Sequence, residues 1–260
     1  MRHRPCRGGW NRLSLCHDGR NMAWTVIVPM SPLDRAKTRL ADASSSPARH
    51  RALVRAMRRD TAQAVLGARD VARLLVVTAT PQAALADLDG VATSGDAARG
   101  QDCAAMSGRI EVVADPPHDP RYEGLNPAVA DAAGHATAVW PEDAIAVVVA
   151  DLPALTAHAV DLVLAEAETV DLGVVVDRQG MGTTMLTAAP GYPVRPRFGP
   201  GSARRHMALG ATRLAAPPPA RTDVDVLDDL EAARRLGLGP AMTALFRAGE
   251  LPLLSTGRHD

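Results

Sequence analysis

Residues 144–153 read AIAVVVADLP, an apolar run of alanine, isoleucine and valine that leads into an aspartate. Such a continuous run is typical of a strand buried on both faces, because a strand with one solvated face would alternate apolar and polar residues. We therefore expect Ala144–Ala150 to be a central strand of a parallel sheet, with Asp151 at its carboxyl end.

Similar short runs recur along the chain and alternate with segments of helical spacing. The predicted strands are Trp24–Pro29, Leu74–Thr78, Ile110–Ala114, Leu172–Val176 and Thr183–Thr187. The predicted helices are Pro47–Leu66, Gln82–Leu88, Asn126–Val139, Ala157–Ala167, Ala203–Leu209 and Val226–Leu236. This alternation predicts a single-domain α/β fold, a mostly parallel sheet with helices on both faces.

Three segments stand outside this pattern. Residues 1–22 are rich in arginine without an apolar core, so we expect a disordered leader rather than a secretory signal. Asp87–Arg109 is rich in Gly, Ser, Ala and Asp and predicts a mobile surface insertion. The folded domain is expected over residues 23–248, followed by a tail at 249–260.

Composition excludes two classes of protein. Twenty-nine basic residues balance 29 acidic ones and only 3% of residues are aromatic, which does not suit a nucleic-acid binder. The apolar runs are far shorter than the ~20 residues that cross a membrane. Three cysteines without a C-x-x-C pair favour a reduced, cytoplasmic protein. The sequence leaves a homodimer open.

Lysine usage singles out one position. Of the 29 basic residues only Lys37 is a lysine, in a chain whose Arg and Ala enrichment is typical of codon bias. A lysine kept under that bias indicates a place where a compact ammonium does what a guanidinium cannot. Lys37 and Arg39 follow the first predicted strand, in a loop suited to a triphosphate, although a solvated loop would explain the charges as well.

Three carboxylates are candidate metal ligands. Asp151 follows the central strand, and alternation in an extended segment would place Asp223 and Asp225 on one side. Carboxylates of this kind, together with substrate phosphates, are ligands for Mg²⁺. The alternatives are that Asp151 caps the helix after Thr156 or forms an Asx-turn, and that Asp225 caps the last helix.

A glycine-rich loop precedes a short predicted helix. Residues 197–202 read RFGPGS, which predicts Ser202 as the N-cap of a helix whose free N–H groups would favour an anion. An ordinary capped helix is the alternative. His206, on the same helix, is expected to be a packing or surface residue rather than a base.

Taken in order, these segments resemble the 2-phospho-L-lactate guanylyltransferase family of deazaflavin coenzyme biosynthesis. The matching segments span residues 24–240 and are Val28-Pro29, Pro32-Leu33, Ala36–Leu40, Gly124–Asn126, Ala150–Leu155, Gly182-Thr183, Phe198–Ser202, Arg205-His206 and Asp223–Asp225.

The resemblance implies a nucleotide-diphosphosugar-transferase-like fold, GTP and a phosphorylated three-carbon acid as substrates, and Mg²⁺ as cofactor. The acid is 2-phospholactate, phosphoenolpyruvate or 3-phosphoglycerate in different members. The implied catalytic residues are Lys37 and Asp151. The other implied site residues are, for the acid, Thr183, Gly199 and Ser202; for the nucleotide, Lys37, Arg39, Gly124 and Asn126; and for the metal, Asp151, Asp223 and Asp225.

Two further hypotheses stay open at this point. One is a molybdenum-cofactor or sugar-phosphate nucleotidyltransferase of the same fold, and the other is a GTP-binding protein without catalysis. Asn126 could also cap its helix instead of meeting the nucleoside.

Overall fold

The computed structural model describes residues 22–33, 36–41, 46–89, 91, 109–115 and 125–249, and within them seven strands form one sheet. The strands are β1 (Trp24–Pro29), β2 (Val71–Thr78), β3 (Ile110–Ala114), β4 (Ala144–Val148), β5 (Leu172–Val176), β6 (Thr183–Ala188) and β7 (Thr212–Arg213). Their order across the sheet is β3-β2-β1-β4-β6-β5-β7.

The sheet is mostly parallel, as the sequence predicts, with one strand reversed. β1 lies parallel to both β2 and β4, and β2 parallel to β3, whereas β6 runs antiparallel to its neighbours β4 and β5. Because β6 is reversed, it begins at the edge of the sheet where β4 ends. The start of β6, at Thr183, therefore lies near the segment that follows β4.

Helices cover both faces of the sheet, which confirms the predicted layering. They are α1 (Thr38–Ala41), α2 (Pro47–Gly67), α3 (Pro81–Leu88), α4 (Leu125–Val139), α5 (Ala157–Ala167), α6 (Ser202–Ala208), α7 (Leu227–Leu236) and α8 (Pro240–Arg247). Helices α2, α3 and α5 share one apolar core with the sheet, and α4 and α6 share the core on the opposite face. Alternate residues of each strand enter the two cores: Val26 and Val28 one, Ile27 the other.

A third apolar cluster lies beside the sheet and packs α2 against α7 and α8. Leu53 and Met57 of α2 pack with Leu230 of α7 and Met242 of α8. Asp60 of α2 accepts the amide N–H groups of Ala241 and Met242 at 2.8 and 2.9 Å, at the first turn of α8. This contact satisfies helix-terminal donors and fixes α8 against α2.

The predicted boundaries are close to the observed ones, with a few informative differences. The central strand ends at Val148 rather than Ala150, so the last two residues of the apolar run already belong to the turn before Asp151. Asp87 belongs to α3, where it is buried and its Oδ1 accepts the Nε–H of Arg55 at 2.6 Å, so it is not part of a surface insertion. The predicted leader up to residue 21, most of the insertion and residues 250–260 lie outside the described residues.

No helix within the described ranges is long and apolar enough to cross a membrane.

Candidate active site

A cavity of about 700 Å³ opens at the carboxyl ends of β1 and β4. The strand order reverses there, because β2 and β3 lie on one side of β1 and β4 lies on the other. Ligands of open α/β sheets bind at such a switch point, where the loops after neighbouring strands diverge. The loops after both strands line this cavity, through Lys37 after β1 and Asp151 after β4.

The backbone of the segment after β4 is held by hydrogen bonds from three other parts of the chain. The amide of Leu152 donates to Oγ1 of the buried Thr61 in α2 at 3.0 Å. The carbonyl of Asp151 accepts the amide of Val224 at 3.1 Å, and that of Pro153 accepts the amide of Gly239 at 2.8 Å. These contacts fix the backbone of Asp151 without using its carboxylate.

The contact with Val224 also brings in the second pair of carboxylates. Val224 is fully buried, while Asp223 and Asp225 on either side of it both line the cavity, as strand-like alternation predicts. Asp151, Asp223 and Asp225 therefore lie along one wall.

The capping alternatives for these residues are wrong. Thr156 is the N-cap of α5, and its hydroxyl accepts the amide of Ala159 at 3.1 Å. At the start of α7 the carboxylate of Asp229, not that of Asp225, accepts the amides of Asp225 and Val226. The carboxylates of Asp151 and Asp225 are thus not engaged in helix capping.

Lys37 joins the two halves of this wall. Its Nζ contacts Asp151 Oδ2 and lies 2.5 Å from Asp225 Oδ1. Burial lowers the pKa of Lys37, but the charges of Asp151 and Asp225 more than offset that effect and hold the pKa above its usual range. The backbone of Lys37 has φ of 54°, in the left-handed region that residues with a side chain rarely adopt. The loop therefore places this ammonium at some conformational cost.

The carboxylates around Lys37 carry more negative charge than one ammonium balances. Asp151 Oδ1 is buried and has no hydrogen-bond partner. Burial and the neighbouring Asp151 raise the pKa of Asp223 to about 7, and Asp225 adds to this, although Lys37 opposes it. Across the described parts of the chain, no three His, Cys, Asp or Glu side chains are gathered as a ready-made metal site.

Two arginines add positive charge to the same cavity. The exposed Arg39 lines it, as the sequence predicts. Arg58 of α2, which sequence reasoning missed, also lines it, donates from Nη2 to the carbonyl of Ser31 and lies with Nη1 3.8 Å from Asp87 Oδ2. A signal for Arg58 was present, because this basic residue falls at helical spacing from the buried Val54 and Thr61.

The opposite wall is built from the turn between β5 and β6. Asp177 follows β5 directly and accepts the amides of Met181 and Gly182 at 2.8 and 2.6 Å. A Cβ on Gly182 would lie 2.4 Å from Asp177 Oδ2, so this close approach requires glycine. Asp177 was also missed, although it follows an apolar strand in the same way as Asp151.

The glycine-rich loop before α6 completes this wall, and two side chains hydrogen-bond to its backbone. Asn126 donates from Nδ2 to the carbonyl of Phe198 at 3.2 Å and accepts its amide at 2.6 Å. The guanidinium of Arg205 donates to the carbonyls of Arg197, Phe198 and Pro200. Asn126 is therefore neither a helix cap nor a cavity-lining residue; it fixes the loop that lines the cavity.

The prediction that Ser202 is the N-cap of this helix is wrong. Gly201, with φ of 71°, occupies the N-cap, and Ser202 is the first helical residue. The amide of Ser202 donates to the carbonyl of Gly199, and that of Ala203 to the carbonyl of Met181. Among the described residues of this loop, the amides of Gly199 and Gly201 remain without a hydrogen-bond partner, so the loop itself offers free donors.

The remaining candidate residues fall as follows. Lys37, Arg39, Asp151, Thr183, Gly199, Ser202, Asp223 and Asp225 all line the same cavity. His206 is buried beneath it, as the packing interpretation predicts, and contacts Thr183. Gly124 lies outside the described residues.

Two solved structures share this architecture. A putative nucleotide-diphospho-sugar transferase from Desulfovibrio desulfuricans aligns with a TM-score of 0.63 at 15% identity, covering 88% of this chain and 96% of that one. A 4-diphosphocytidyl-2C-methyl-D-erythritol synthase aligns with a TM-score of 0.50 at 13% identity, covering 83% and 99%. The fold is that of the nucleotide-diphospho-sugar transferases, as the resemblance implied.

Sequence relatives narrow the class. No family model matches the chain. The phosphoenolpyruvate guanylyltransferase of Thermomonospora curvata is 40% identical over 243 residues, which are 93% of this chain and 95% of the relative. That of Streptomyces scabiei is 39% identical over 225 residues, 86% of this chain and 95% of the relative. The chain belongs to this guanylyltransferase family, and it is a nucleotidyltransferase.

Proposed function

We propose that the protein transfers the GMP unit of GTP to the phosphate of a phosphorylated three-carbon acid and releases pyrophosphate. Phosphoenolpyruvate is the first acid to test, because the relatives are named for it; 2-phospholactate and 3-phosphoglycerate have the same pair of anionic groups. The observation that carries the proposal is the single cavity with two unlike walls. Lys37 and its carboxylates form one wall, and hydroxyls and free amides form the other.

The first wall suits the triphosphate. Lys37 and Arg39 offer positive charge there, and Arg58 adds a buried guanidinium at the floor of the cavity. A triphosphate carries several negative charges, and cations held in a partly buried site interact with it more strongly than cations in bulk water. Gly124 is expected near the nucleoside, whereas Asn126 acts through the glycine-rich loop of the second wall, which it fixes.

The carboxylates on that wall fit a divalent cation. Asp151 Oδ1 is a buried oxygen without a partner, and burial together with the neighbouring Asp151 raises the pKa of Asp223. Mg²⁺ binds through one or two carboxylates plus phosphates and water, so it does not require three converging side chains. One or two of the carboxylates of Asp151, Asp223 and Asp225 would hold it, and it would supply charge neutralisation at the phosphates.

The second wall suits the acid. Thr183 and Ser202 present hydroxyls, and Gly199 presents a free amide, to one side of the cavity. These neutral donors bind anionic oxygens without adding positive charge to the site. The acid would lie beside the triphosphate in the same cavity.

The reaction then needs positioning more than proton transfer. A phosphate oxygen of the acid attacks the α-phosphorus of GTP, a new P–O bond forms, and the bond from the α-phosphorus to the bridging oxygen of pyrophosphate breaks. The attacking oxygen is already ionised at neutral pH, so no general base is required. Lys37 and Arg39 would hold the triphosphate while the second wall orients the acid.

The test is a mass-spectrometric screen of purified protein with GTP, Mg²⁺ and each of the three acids, together with pyrophosphate release. A GMP–acid diphosphate product that forms with one acid and requires GTP is expected. ATP, CTP and a sugar phosphate serve as matched controls, since the last would be used by a sugar nucleotidyltransferase. GTP binding without a product from any acceptor would contradict the proposal.

A further inference from the structure

A buried histidine lies directly behind the acid wall of the cavity. His206, on α6, is 1% exposed, and its Nδ1 lies 2.9 Å from Oγ1 of Thr183 at the start of β6. Its Nε2 lies 2.8 Å from the backbone nitrogen of Arg197. The ring therefore connects the glycine-rich loop to the hydroxyl of Thr183, a residue that lines the cavity.

These two contacts determine where the proton of the ring lies. A backbone N–H can only donate, so His206 Nε2 accepts from Arg197 and carries no proton. A neutral imidazole then has its proton on Nδ1, and Nδ1–H donates to Thr183 Oγ1. Because that oxygen accepts from the ring, the hydroxyl proton of Thr183 is not used in the contact and is left to donate elsewhere.

The surroundings keep His206 in this neutral form. Burial lowers its pKa to about 4, and the cationic Arg205 and Arg197 act in the same direction. The ring of Phe198 packs against His206 with centroids 5.1 Å apart at an interplanar angle of 71°. A second ring proton would face the N–H of Arg197 and break the contact.

We propose that His206 is a positioning residue for the acid: it accepts from Arg197 and donates to Thr183, and so fixes the Thr183 hydroxyl as a donor to an anionic oxygen of the substrate. The identity of that substrate rests on the proposed function above. The chain of contacts runs in one direction, from the Arg197 amide through the imidazole to the hydroxyl and into the cavity. Successive hydrogen bonds of this kind polarise one another. The wall therefore selects a ligand group that accepts and disfavours one that donates.

Two substitutions separate the two contacts of the ring. In His206→Asn the side-chain amide falls near the position of Nδ1 and keeps the donor to Thr183. In His206→Gln the amide oxygen reaches the position of Nε2 and keeps the acceptor for Arg197, but the donor to Thr183 is lost. Steady-state kinetics with GTP and the acid identified by the screen, measured on full-length protein, provide the KM of each substrate.

We expect His206→Gln to raise the KM of the acid by about 10- to 100-fold, as for a lost hydrogen bond to a charged group, with the KM of GTP nearly unchanged. His206→Asn should keep the acid KM within about threefold of wild type, since a neutral hydrogen bond away from the ligand is lost instead. Thr183→Val should raise the acid KM as His206→Gln does, and Thr183→Ser should restore it. Adding His206→Gln to Thr183→Val should then change little, because the two act through one hydroxyl.

Several results would overturn the proposal. If the wild type is active and the His206→Gln and His206→Asn variants have equal KM values for the acid, the direction of the hydrogen bond is irrelevant. A proton found on Nε2 of His206 by ¹⁵N NMR of the wild type would contradict the proposal without any turnover. If His206→Gln does not fold, a wild-type acid KM for Thr183→Val would overturn it equally. A wild type that turns over no acid contradicts the proposed function instead, and the NMR measurement still decides the tautomer.

Discussion

The two walls of the cavity are held together by different forces. On the Lys37 wall, charged side chains hold one another: Lys37 contacts two carboxylates, and Asp151 keeps a buried oxygen without a partner. On the Thr183 wall, side chains hold the backbone through hydrogen bonds to its amides, from Asn126, Asp177 and His206. The first wall has to exchange its internal contacts for a ligand, whereas the second is formed before any ligand arrives.

This difference has a chemical reason. A triphosphate and a cation bring several charges, and carboxylates crowded around one ammonium are stabilised when those charges arrive. A small acid brings little binding surface, so a wall that is already ordered costs less conformational entropy on binding. Substitutions on the first wall should therefore change kcat and the KM of GTP. Substitutions on the second wall should change the KM of the acid.

The largest effect is expected from Asp151→Asn. The change removes a charge from the buried oxygen that lacks a partner and from the contact with Lys37, while backbone contacts continue to fix the segment. Turnover should fall by roughly 10³-fold or more, as for loss of a principal electrostatic group. Stability should change by less than about 1 kcal/mol, because a lost ion pair and a lost repulsion oppose each other.

The control for this change is Asp228→Asn, at an exposed aspartate in the first turn of α7. It should leave kcat within about twofold, as surface substitutions usually do. Near-normal kcat for Asp151→Asn at saturating Mg²⁺ would remove Asp151 from the site.

The next effect is expected from Lys37→Arg, which keeps the charge and changes its shape. A planar guanidinium cannot replace a compact ammonium between Asp151 and Asp225, so kcat should fall by about 10- to 100-fold. Arg39→Lys, on an exposed side chain of the adjoining α1, should change kcat by less than about threefold. Equal rates for Lys37→Arg and wild type would refute the interpretation of the lone lysine.

A smaller effect is expected from Asn126→Ala, on the second wall. The substitution frees the amide of Phe198 and leaves its carbonyl to Arg205 alone, so the loop loses two contacts that order it. We expect the KM of the acid to rise by about tenfold and that of GTP by less than about twofold, as for one or two neutral hydrogen bonds. A rise in the KM of GTP alone would instead place Asn126 with the nucleoside. It would contradict the assignment of separate substrates to the two walls.

A further expected effect concerns the pH dependence of stability and the second wall. Folding lowers the pKa of His206 from 6.5 to about 4, with burial as the main cause. The unfolded chain thus gains a proton below pH 6.5 that the folded chain does not gain until about pH 4. The stability contributed by the neutral ring is complete above pH 6.5 and is lost as the pH falls from 6.5 to 4.

The measurement is the free energy of unfolding of wild type and His206→Asn at several pH values. Between pH 6.5 and pH 4 the wild type should lose up to roughly 3 kcal/mol more stability than His206→Asn, at about 1.4 kcal/mol for each pKa unit. Titration of other groups cancels in this comparison. A difference that does not vary with pH would show that His206 is protonated equally in both states.

Most of the fold could be predicted because its strands are buried on both faces and read as continuous apolar runs. Trp24–Pro29 and Leu172–Val176 were located to the residue for that reason. The reversed direction of β6 could not be predicted, because an apolar strand has the same pattern in either direction. Its direction is nevertheless what brings Thr183 to the cavity.

The site divides in the same way. Residues at strand ends, such as Asp151, could be predicted because parallel strands end at one edge of the sheet. Their convergence could not, since it depends on one long-range contact, from the amide of Val224 to the carbonyl of Asp151. Ser202 was assigned as a cap because a serine before a helix usually is one, but Gly201 adopts the left-handed conformation and takes that position.

Transfer of GMP to the acid across the two walls can be observed in a ³¹P NMR spectrum recorded while the protein reacts with GTP, Mg²⁺ and phosphoenolpyruvate. The proposed reaction predicts two new, mutually coupled phosphorus signals from an unsymmetrical diphosphate that joins GMP to the acid, and pyrophosphate in equal amount. The same spectrum with Asp151→Asn should show neither. Signals of GDP and inorganic phosphate in place of the coupled pair, or unchanged substrates with all three acids, would contradict the proposed transfer.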